Sequence, residues 1–278
     1  MTKENHIKVS IELSDDQHET MMAILAEIGF YAFEENPGNL DAYILEADYN
    51  DAALQREVSR FFPKLYLKRT VELILSKDWN AEWEKDFQPV RVENFCLVRP
   101  PFKPAEPGFS HEVIVFPKMA FGTGHHATTW LVIDQCSRMD FAGKRVLDMG
   151  CGTGVLGILA CKLGAKEVTG IDIDVWSYEN ARENAELNQV EQFEVLQGDA
   201  EAIPEGCYDI ILANINRNVL LADRDKYIAH LVSGGNLILS GIYNFDEAKL
   251  ADHYQAGGLQ QVLRKERNEW VMLAFEKK

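Results

Sequence analysis

The chain has 278 residues, of which 46% are hydrophobic, and a formal net charge of −16 at pH 7. This length suits one large or two modest domains with a sizeable buried core. The acidic charge argues against direct binding of nucleic acid, because binding phosphates needs a basic surface. It suits a basic protein partner, although ordinary solubility explains the charge equally well.

The five cysteines are scattered, odd in number and free of any Cys-x-x-Cys pair. This usage indicates a reducing, cytoplasmic compartment, without a disulfide framework or structural zinc. The first residues lack the apolar segment of a secretory signal, and no apolar run is long enough to cross a bilayer. We therefore expect a cytoplasmic protein with no membrane partner.

The first 74 residues carry alternating strand and helix signals. Apolar and polar residues alternate over the first strand, Ser14 opens a capped helix, and Asn36-Pro-Gly-Asn39 is a strong turn signal. The order βαββαβ is that of a small ferredoxin-like α+β domain. Its predicted elements are strand 7–13, helix 14–28, strands 31–33 and 42–46, helix 51–62 and strand 65–75.

A linker helix is predicted over residues 75–88. Trp79, Trp83 and Phe87 recur there at four-residue spacing and so share one helix face, which we expect to pack on one of the domains. A second domain then occupies residues 89–278 and opens with extended structure interrupted by prolines.

Residues 145–173 are the most informative stretch. A short apolar run ends at Asp148, a turn containing Gly150 and Gly152 follows, and after a helical segment a second apolar run ends at Asp172. This strand, loop, helix, strand and acid unit is of the nucleotide-cofactor type. The glycines allow the backbone to turn sharply near a ligand, and a carboxylate after the second strand can accept both ribose hydroxyls. The pattern predicts an adenosine-containing cofactor.

Two details favour S-adenosyl-L-methionine over a dinucleotide or a nucleoside triphosphate. A carboxylate at Asp148, just before the turn, would repel a pyrophosphate but attract the ammonium of a methionine moiety. The chain also lacks the Gly-x-x-x-x-Gly-Lys-Ser/Thr loop of triphosphate-binding proteins. The alternative is a glycine-rich turn that only packs a helix on a sheet.

Three further apolar runs extend the pattern, and the first two end at Asp199 and Asn214, while the third covers residues 235–241. Strands separated by helical segments imply an α/β fold with a doubly wound, mostly parallel Rossmann-like sheet, whose ligands bind at the carboxyl ends of the strands. Asp199 follows the small Gly198 and could hold the adenine amino group. Four polar residues at four such strand ends are more specific than any one of them.

With these residues assembled, the chain resembles class I methyltransferases, and three segments are similar to the ribosomal protein L11 methyltransferase family. Residues Ala120–Thr129 are similar to that family's Ala-Phe-Gly-Thr-Gly-x-His-x-Thr-Thr segment. Residues Leu212–Asn216 and Leu239–Ile242 are similar to its Ala-Asn-Ile-Leu and Leu-Ser-Gly-Ile segments. The position after Ile215 is often apolar in the family and is Asn216 here, which leaves the shape of the acceptor pocket open.

The resemblance spans about residues 116–243 and implies methylation of lysine side chains, and of the N-terminal amine, on ribosomal protein L11. It implies S-adenosyl-L-methionine as donor and a substrate-recognition role for the first 74 residues, for which a dimerisation or regulatory module is the alternative. Carried over by position, Thr129, Gly150, Asp172 and Asn214 are cofactor contacts. Thr129 comes from the resemblance alone.

Asn214 is the candidate catalytic residue. Its side-chain oxygen, with nearby backbone carbonyls, can accept hydrogens from the acceptor amine and direct the lone pair at the methyl group. The amine must be neutral although the pKa of free lysine is near 10.4, so we expect desolvation and the sulfonium charge to favour the neutral form. Asn216 can share that task or be a surface loop residue. His125 and His126 could act as a base or a metal ligand, but without a supporting carboxylate or cysteine cluster we expect a loop that closes over the cofactor, and no metal.

Protein-lysine methylation is therefore the expected activity, with a different protein or a small-molecule amine as the alternative acceptor. The separate N-terminal module argues against a small molecule. The intact glycine turn, Asp172 and Asn214 argue against an inactive cofactor-binding module. An NAD-dependent dehydrogenase is the weakest hypothesis. Nothing in the sequence requires more than a monomer, so we expect a monomer without a nucleic acid partner.

Overall fold

The chain divides into two compact units, Met1–Asp86 and Phe87–Lys278. The predicted linker-helix residues Trp79 and Trp83 lie outside the described residues, whereas the Phe87 ring packs against other aromatic rings of the second unit. The structure is a computed structural model that describes residues 5–63, 68–75, 84, 87–118 and 120–278.

In its described residues up to position 75, the first unit is a four-stranded antiparallel sheet with two α-helices. Its elements are β1 (His6–Glu12), α1 (His18–Glu27), β2 (Ala32–Asn36), β3 (Asn39–Leu45), α2 (Asp51–Phe61) and β4 (Arg69–Ile74). The strands are arranged in the order β2-β3-β1-β4.

Alternating burial along β1 shows why this sheet forms. Val9 and Ile11 are fully buried against apolar residues of both helices, while the residues between them are partly exposed. The predicted capped helix start at Ser14 is wrong in detail, because a single 3₁₀ turn precedes α1 and the Ser14 hydroxyl bonds the side chain of Gln17. Asn50 does cap α2 by accepting a hydrogen bond from a backbone N–H.

The second unit begins with a small three-stranded sheet of β5 (Val90–Val92), β6 (Cys96–Arg99) and β7 (His111–Ile114). A seven-stranded sheet follows, and its five parallel strands confirm the predicted mostly parallel architecture. Its strands are β8 (Arg145–Met149), β9 (Glu167–Asp172), β10 (Phe193–Gln197), β11 (Tyr208–Asn214), β12 (Leu231–Tyr243), β13 (Leu259–Arg267) and β14 (Trp270–Lys277).

The strand order in this sheet is β10-β9-β8-β11-β12-β14-β13, so β8 lies near the middle and the chain moves outward from it in both directions. The last two strands form an antiparallel hairpin beside β12, which the sequence pattern did not predict. The helices of this unit are α3 (Ala127–Cys136), α4 (Val155–Lys162), α5 (Val175–Leu187), α6 (Arg217–His230) and α7 (Glu247–Ala256).

Three asparagines, two on α5 and one at its C-terminal cap, anchor the end of β7 and the residues that follow it. Asn188 exchanges hydrogen bonds with the backbone of Ile114, at 2.9 Å and 2.6 Å. Asn184 accepts from the Phe116 N–H at 2.8 Å, and Asn180 donates to the Phe116 carbonyl at 3.2 Å. Four-residue spacing places the three amides on one helix face. From there they bond the backbone N–H and C=O groups of an extended segment, as the backbone of a neighbouring strand would.

All five cysteines are free thiols, and four of them are buried. Within the described part of the chain, each helix is too short or too polar to cross a bilayer.

Candidate active site

A cleft of about 490 Å³ opens where the parallel strands of the second unit end. This volume lies within the range of small-molecule and cofactor sites. Two of the predicted residues, Thr129 and Asp148, are buried outside the cleft lining. The predicted residues that do line the cleft are Gly150, Gly152, Asp172, Asp199 and Asn214.

The glycine turn after β8 is needed by the protein's own packing. Gly150 and Gly152 have φ angles of +66° and +54°, which side-chain-bearing residues rarely adopt. A Cβ at Gly150 would lie 2.0 Å from Cγ2 of Ile215, and one at Gly152 would lie 2.2 Å from the Phe121 carbonyl oxygen. That carbonyl also accepts the Thr153 N–H at 2.8 Å. The sequence predicts close approach of a ligand here, and the structure shows close approach of neighbouring loops.

Two carboxylates lie at one end of the cleft. The Asp172 Oδ2 atom accepts the Gly152 N–H at 2.8 Å, and its Oδ1 atom accepts the Asp174 N–H at 3.0 Å. Asp199 is exposed, and its Oδ1 atom accepts the Glu201 N–H at 2.9 Å. Each carboxylate oxygen has two acceptor sites, so Asp172 is held in place and keeps capacity for two ribose hydroxyls.

Asp148 is only 1% exposed and does not line the cleft. Its Oδ2 atom accepts the Gly157 N–H in α4 at 2.9 Å, while its Oδ1 atom has no hydrogen-bond partner among the described residues. Burial, reinforced by the negative charge of Asp172, raises the pKa of Asp148 to about 7. Its predicted attraction for a methionine ammonium stays a prediction.

We expect Asp148 to make folding pH-dependent. Because the pKa of Asp148 is raised by folding, the folded protein keeps a proton that the unfolded chain has already lost, and stability falls as pH rises toward that pKa. Between about pH 5 and pH 7 this group should lower the unfolding free energy by about 2 kcal/mol. Urea unfolding at both values should show this loss in the wild type and not in Asp148→Asn. Equal pH dependence in the two proteins would contradict the assignment.

The Asn214 side chain, at the end of β11, lies toward the other end of the cleft. Its Nδ2 atom donates to the Thr129 hydroxyl at 3.3 Å. The Oδ1 atom is buried and has no partner within the described residues. Leaving a buried hydrogen-bond acceptor unpaired costs free energy. Such an atom is expected where a ligand supplies the missing partner. Thr129 itself is fully buried in α3 and supports the amide from behind.

Packing of the next residue positions Asn214. Ile215 lies between Gly150 and Gly241, whose φ angle is +90°. A Cβ on Gly241 would lie 2.3 Å from the Ile215 carbonyl oxygen. Gly150, just after β8, and Gly241, in β12, therefore leave room for the chain that follows β11 to pass between them.

The three polar residues left open by the sequence have local structural roles. Asn216 lines the cleft and caps α6, because its side-chain oxygen accepts the N–H of the third helix residue at 3.2 Å. His126 caps α3 by accepting the Thr128 N–H at 3.3 Å, and burial lowers its pKa. The His125 ring bonds the Gln88 backbone carbonyl at 2.8 Å. His126 also lines the cleft, whereas His125 does not.

The sequence patterns did not predict the aromatic side chains of the cleft. Phe121 and Trp270 line it, and Tyr243 stacks on Trp270. Phe121 lies within a segment that carried the family resemblance, so a signal for it existed. Trp270 begins a strand far along the chain, and no local pattern marks it.

The site fits S-adenosylmethionine. Carboxylates with spare acceptor capacity suit the ribose and adenine at one end, and an unpaired amide oxygen suits an amine near the other. The cleft lies at the edge of a mostly parallel sheet, which has a glycine turn after β8 and an acid at the end of β9. These features define a class I methyltransferase that uses S-adenosylmethionine as its methyl donor.

Comparisons with known proteins narrow the class. Residues 5–278 match the family model described as ribosomal protein L11 methyltransferase (PrmA), so the chain belongs to that family. It is 44% identical to the ribosomal protein L11 methyltransferase of Porphyromonas gingivalis over 93% of this chain and 90% of that protein. The Bacteroides fragilis protein of the same name is 41% identical, over 93% of each chain. The crystal structure of ribosomal protein L11 methylase from Lactobacillus delbrueckii subsp. bulgaricus aligns with a TM-score of 0.65 and 30% identity, over 69% of this chain and all of that one.

Proposed function

We propose that this protein transfers methyl groups from S-adenosyl-L-methionine to lysine side chains, and to the N-terminal amine, of ribosomal protein L11. The observation that carries the proposal is the unpaired Oδ1 atom of Asn214, a hydrogen-bond acceptor near one end of a cleft that has two carboxylates at the other. The names of the relatives support the substrate, since chains 44% and 41% identical are called ribosomal protein L11 methyltransferase. A different protein or a small-molecule amine is the less favoured acceptor.

The proposed contacts divide by task. Asp172 would accept the ribose hydroxyls, Asp199 would hold the adenine amino group, and the backbone of the glycine turn would face the methionine portion. When bound, the cofactor supplies an activated methyl group on a sulfonium. The proposed cofactor-binding residues that line the cleft are Gly150, Gly152, Asp172, Asp199 and Asn214, and Thr129 and Asp148 are proposed to support them from the buried side.

Asn214 orients the acceptor. Its Oδ1 atom accepts an N–H of the neutral amine and so directs the nitrogen lone pair toward the methyl carbon. With its Nδ2 group turned toward the Thr129 hydroxyl, the amide leaves its Oδ1 atom free for the amine. Holding two groups in line is the main contribution that the protein can make, because the donor is already activated. Solvent takes the proton from the lysine before the amine enters the dry part of the cleft.

We also propose that residues 1–74 form a ferredoxin-like substrate-recognition domain, joined by residues 75–88 to a catalytic domain over residues 89–278. The βαββαβ element order supports this assignment. Residues 1–86 carry 18 acidic and 9 basic side chains, a surplus that suits a basic protein substrate. We propose a cytoplasmic monomer that does not bind nucleic acid directly.

We expect the affinity for the protein substrate to depend on salt. Long-range attraction between opposite charges is screened within about 10 Å at 0.1 M salt. The KM for L11 should therefore rise about fivefold between low and moderately high salt, because charge steering accelerates association. The KM for S-adenosylmethionine, measured in the same titration, should change much less. A salt-independent KM for L11 would contradict charge attraction.

Gly241 should matter for activity through Ile215 and Asn214. We expect Gly241→Ala to lower the methylation rate about tenfold, since an atomic clash displaces the segment that bears the amide. Gly234→Ala is the matched control, because Gly234 has a φ angle of +75° but no atom near its would-be Cβ. Similar losses of rate in both variants would mean that backbone strain alone explains the effect.

Intact-mass analysis of purified L11 tests the proposed function. Incubation with this protein and S-adenosylmethionine should add mass in methyl steps, and Asn214→Ala should add little. If L11 gains no mass while the protein still binds the cofactor, L11 is not the acceptor. If L11 is modified equally by the variant, the role of the amide is wrong.

A further inference from the structure

Four aromatic side chains form a continuous surface beside Asn214. The Trp270 and Tyr243 rings are stacked with centroids 3.9 Å apart, and Tyr243 stacks on Phe245 at 5.2 Å with an interplanar angle of 10°. The His126 ring meets Trp270 edge-on at 4.5 Å. We call His126, Tyr243, Phe245 and Trp270 the aromatic wall.

The aromatic wall runs from the cleft to solvent. His126 and Trp270 line the cleft, while Tyr243 is 38% and Phe245 75% exposed. Such large aromatic side chains are normally covered, and a contiguous exposed group of them marks a contact surface. The wall therefore offers a path by which a long side chain could reach the cleft from outside.

Strand order places the aromatic wall on the acceptor side. The proposed ribose and adenine contacts follow β9 and β10, and Asn214 ends β11. Tyr243 ends β12 and is paired in register with Trp270, the first residue of β14. The wall thus lies on the opposite side of Asn214 from the adenosine contacts. In-line displacement would require the amine to approach opposite the leaving sulfur, and the wall side of Asn214 is clear of the adenosine contacts.

We propose that the aromatic wall is the entry channel for the substrate lysine, an inference that rests on the proposed function. The aliphatic stem of a lysine packs on aromatic faces, and its cationic head is attracted by their electron-rich faces. A methylated ammonium keeps its charge and is held in the same way. The aromatic wall therefore selects a long cationic side chain over a short polar one.

Kinetics with L11 test this channel. Trp270→Leu and Phe245→Ala should each raise the KM for L11 about fivefold, the size of a solvent-accessible cation–π contact. Trp270→Phe keeps an aromatic face and should stay within about twofold of the wild type. Trp176→Ala is the matched control, because Trp176 is 67% exposed but does not line the cleft. The affinity for S-adenosylmethionine, measured by calorimetry, should be unchanged in all four variants.

An unchanged KM for L11 in both Trp270→Leu and Phe245→Ala would overturn the proposal. So would a loss confined to cofactor affinity, since the wall would then serve the donor.

A second measurement does not need L11. Tetramethylammonium chloride, titrated into the protein with S-adenosylhomocysteine bound, should change tryptophan fluorescence beyond the effect of equal sodium chloride. The change should disappear in Trp270→Phe and persist in Trp176→Phe. If the wild type fails to methylate L11 but shows this pattern, the proposed substrate is wrong and the cation channel stands. No specific fluorescence change would overturn the channel even if L11 is methylated.

Discussion

Replacing Asn214 with alanine is expected to lower the rate of methyl transfer by about 10²- to 10³-fold, the range found when one preorganised polar group is removed from an active site. The Oδ1 atom of Asn214 is buried and unpaired within the described residues, while its Nδ2 atom donates to Thr129. Without it, the amine enters the cleft with no acceptor for its N–H, and its lone pair is no longer directed. Affinity for S-adenosylmethionine should fall by less than about tenfold, because a single neutral hydrogen bond contributes about 1 kcal/mol.

Single-turnover rates with L11 and calorimetric binding of S-adenosylmethionine measure these two quantities separately. Asn216→Ala is the neighbouring control: Asn216 lines the same cleft but bonds its own helix end. The Asn216→Ala substitution should lower the free energy of unfolding by about 1 kcal/mol and leave the rate of methyl transfer nearly unchanged. If Asn214→Ala keeps the wild-type rate, or if the two variants lose equal activity, Asn214 does not orient the acceptor.

Asp172→Asn is expected to weaken S-adenosylmethionine binding by about 10²-fold. A hydrogen bond to a charged group contributes about 1.5–3 kcal/mol, and the carboxylate can accept two ribose hydroxyls while an amide can accept only on its oxygen. The substitution also weakens the anchor of the glycine turn, because Asp172 accepts the Gly152 N–H. The rate at saturating cofactor should fall much less than the affinity does.

Calorimetry on the purified variant measures the binding constant directly. Asp174→Asn serves as the control, since Asp174 caps α5 through the Ser177 N–H and asparagine is an equally good cap. Its affinity for the cofactor should stay within about twofold of the wild type. Wild-type affinity in Asp172→Asn would show that the ribose is not held there.

Sequence patterns alone predict the mostly parallel sheet and the polar residues at its strand ends. Each signal was local: a strand-like run that ends at or within three residues of Asp172, Asp199 or Asn214. The carboxyl ends of parallel strands meet at one edge of a sheet, so local signals at several strand ends converge on one place. The structure brings these three residues to one cleft for that reason.

The surroundings of each polar group depend on tertiary packing. Asp148 carries the same strand-end signal as Asp172, yet Asp148 is buried under α4 and its pKa is raised, while Asp172 lines the cleft. Burial depends on which segments pack above a residue, and these come from other parts of the chain. The same reason explains Gly150, whose missing side chain makes room for Ile215.

The aromatic wall is the clearest case of contacts that the sequence patterns do not predict. Tyr243 and Trp270 become neighbours only because the unpredicted β13–β14 hairpin adds β14 in antiparallel register beside β12. A contact between residues on different strands depends on strand order and register, which no local pattern of these residues encodes. The sequence therefore determined which cofactor the sheet edge suits, and tertiary packing decided which side chains face the acceptor.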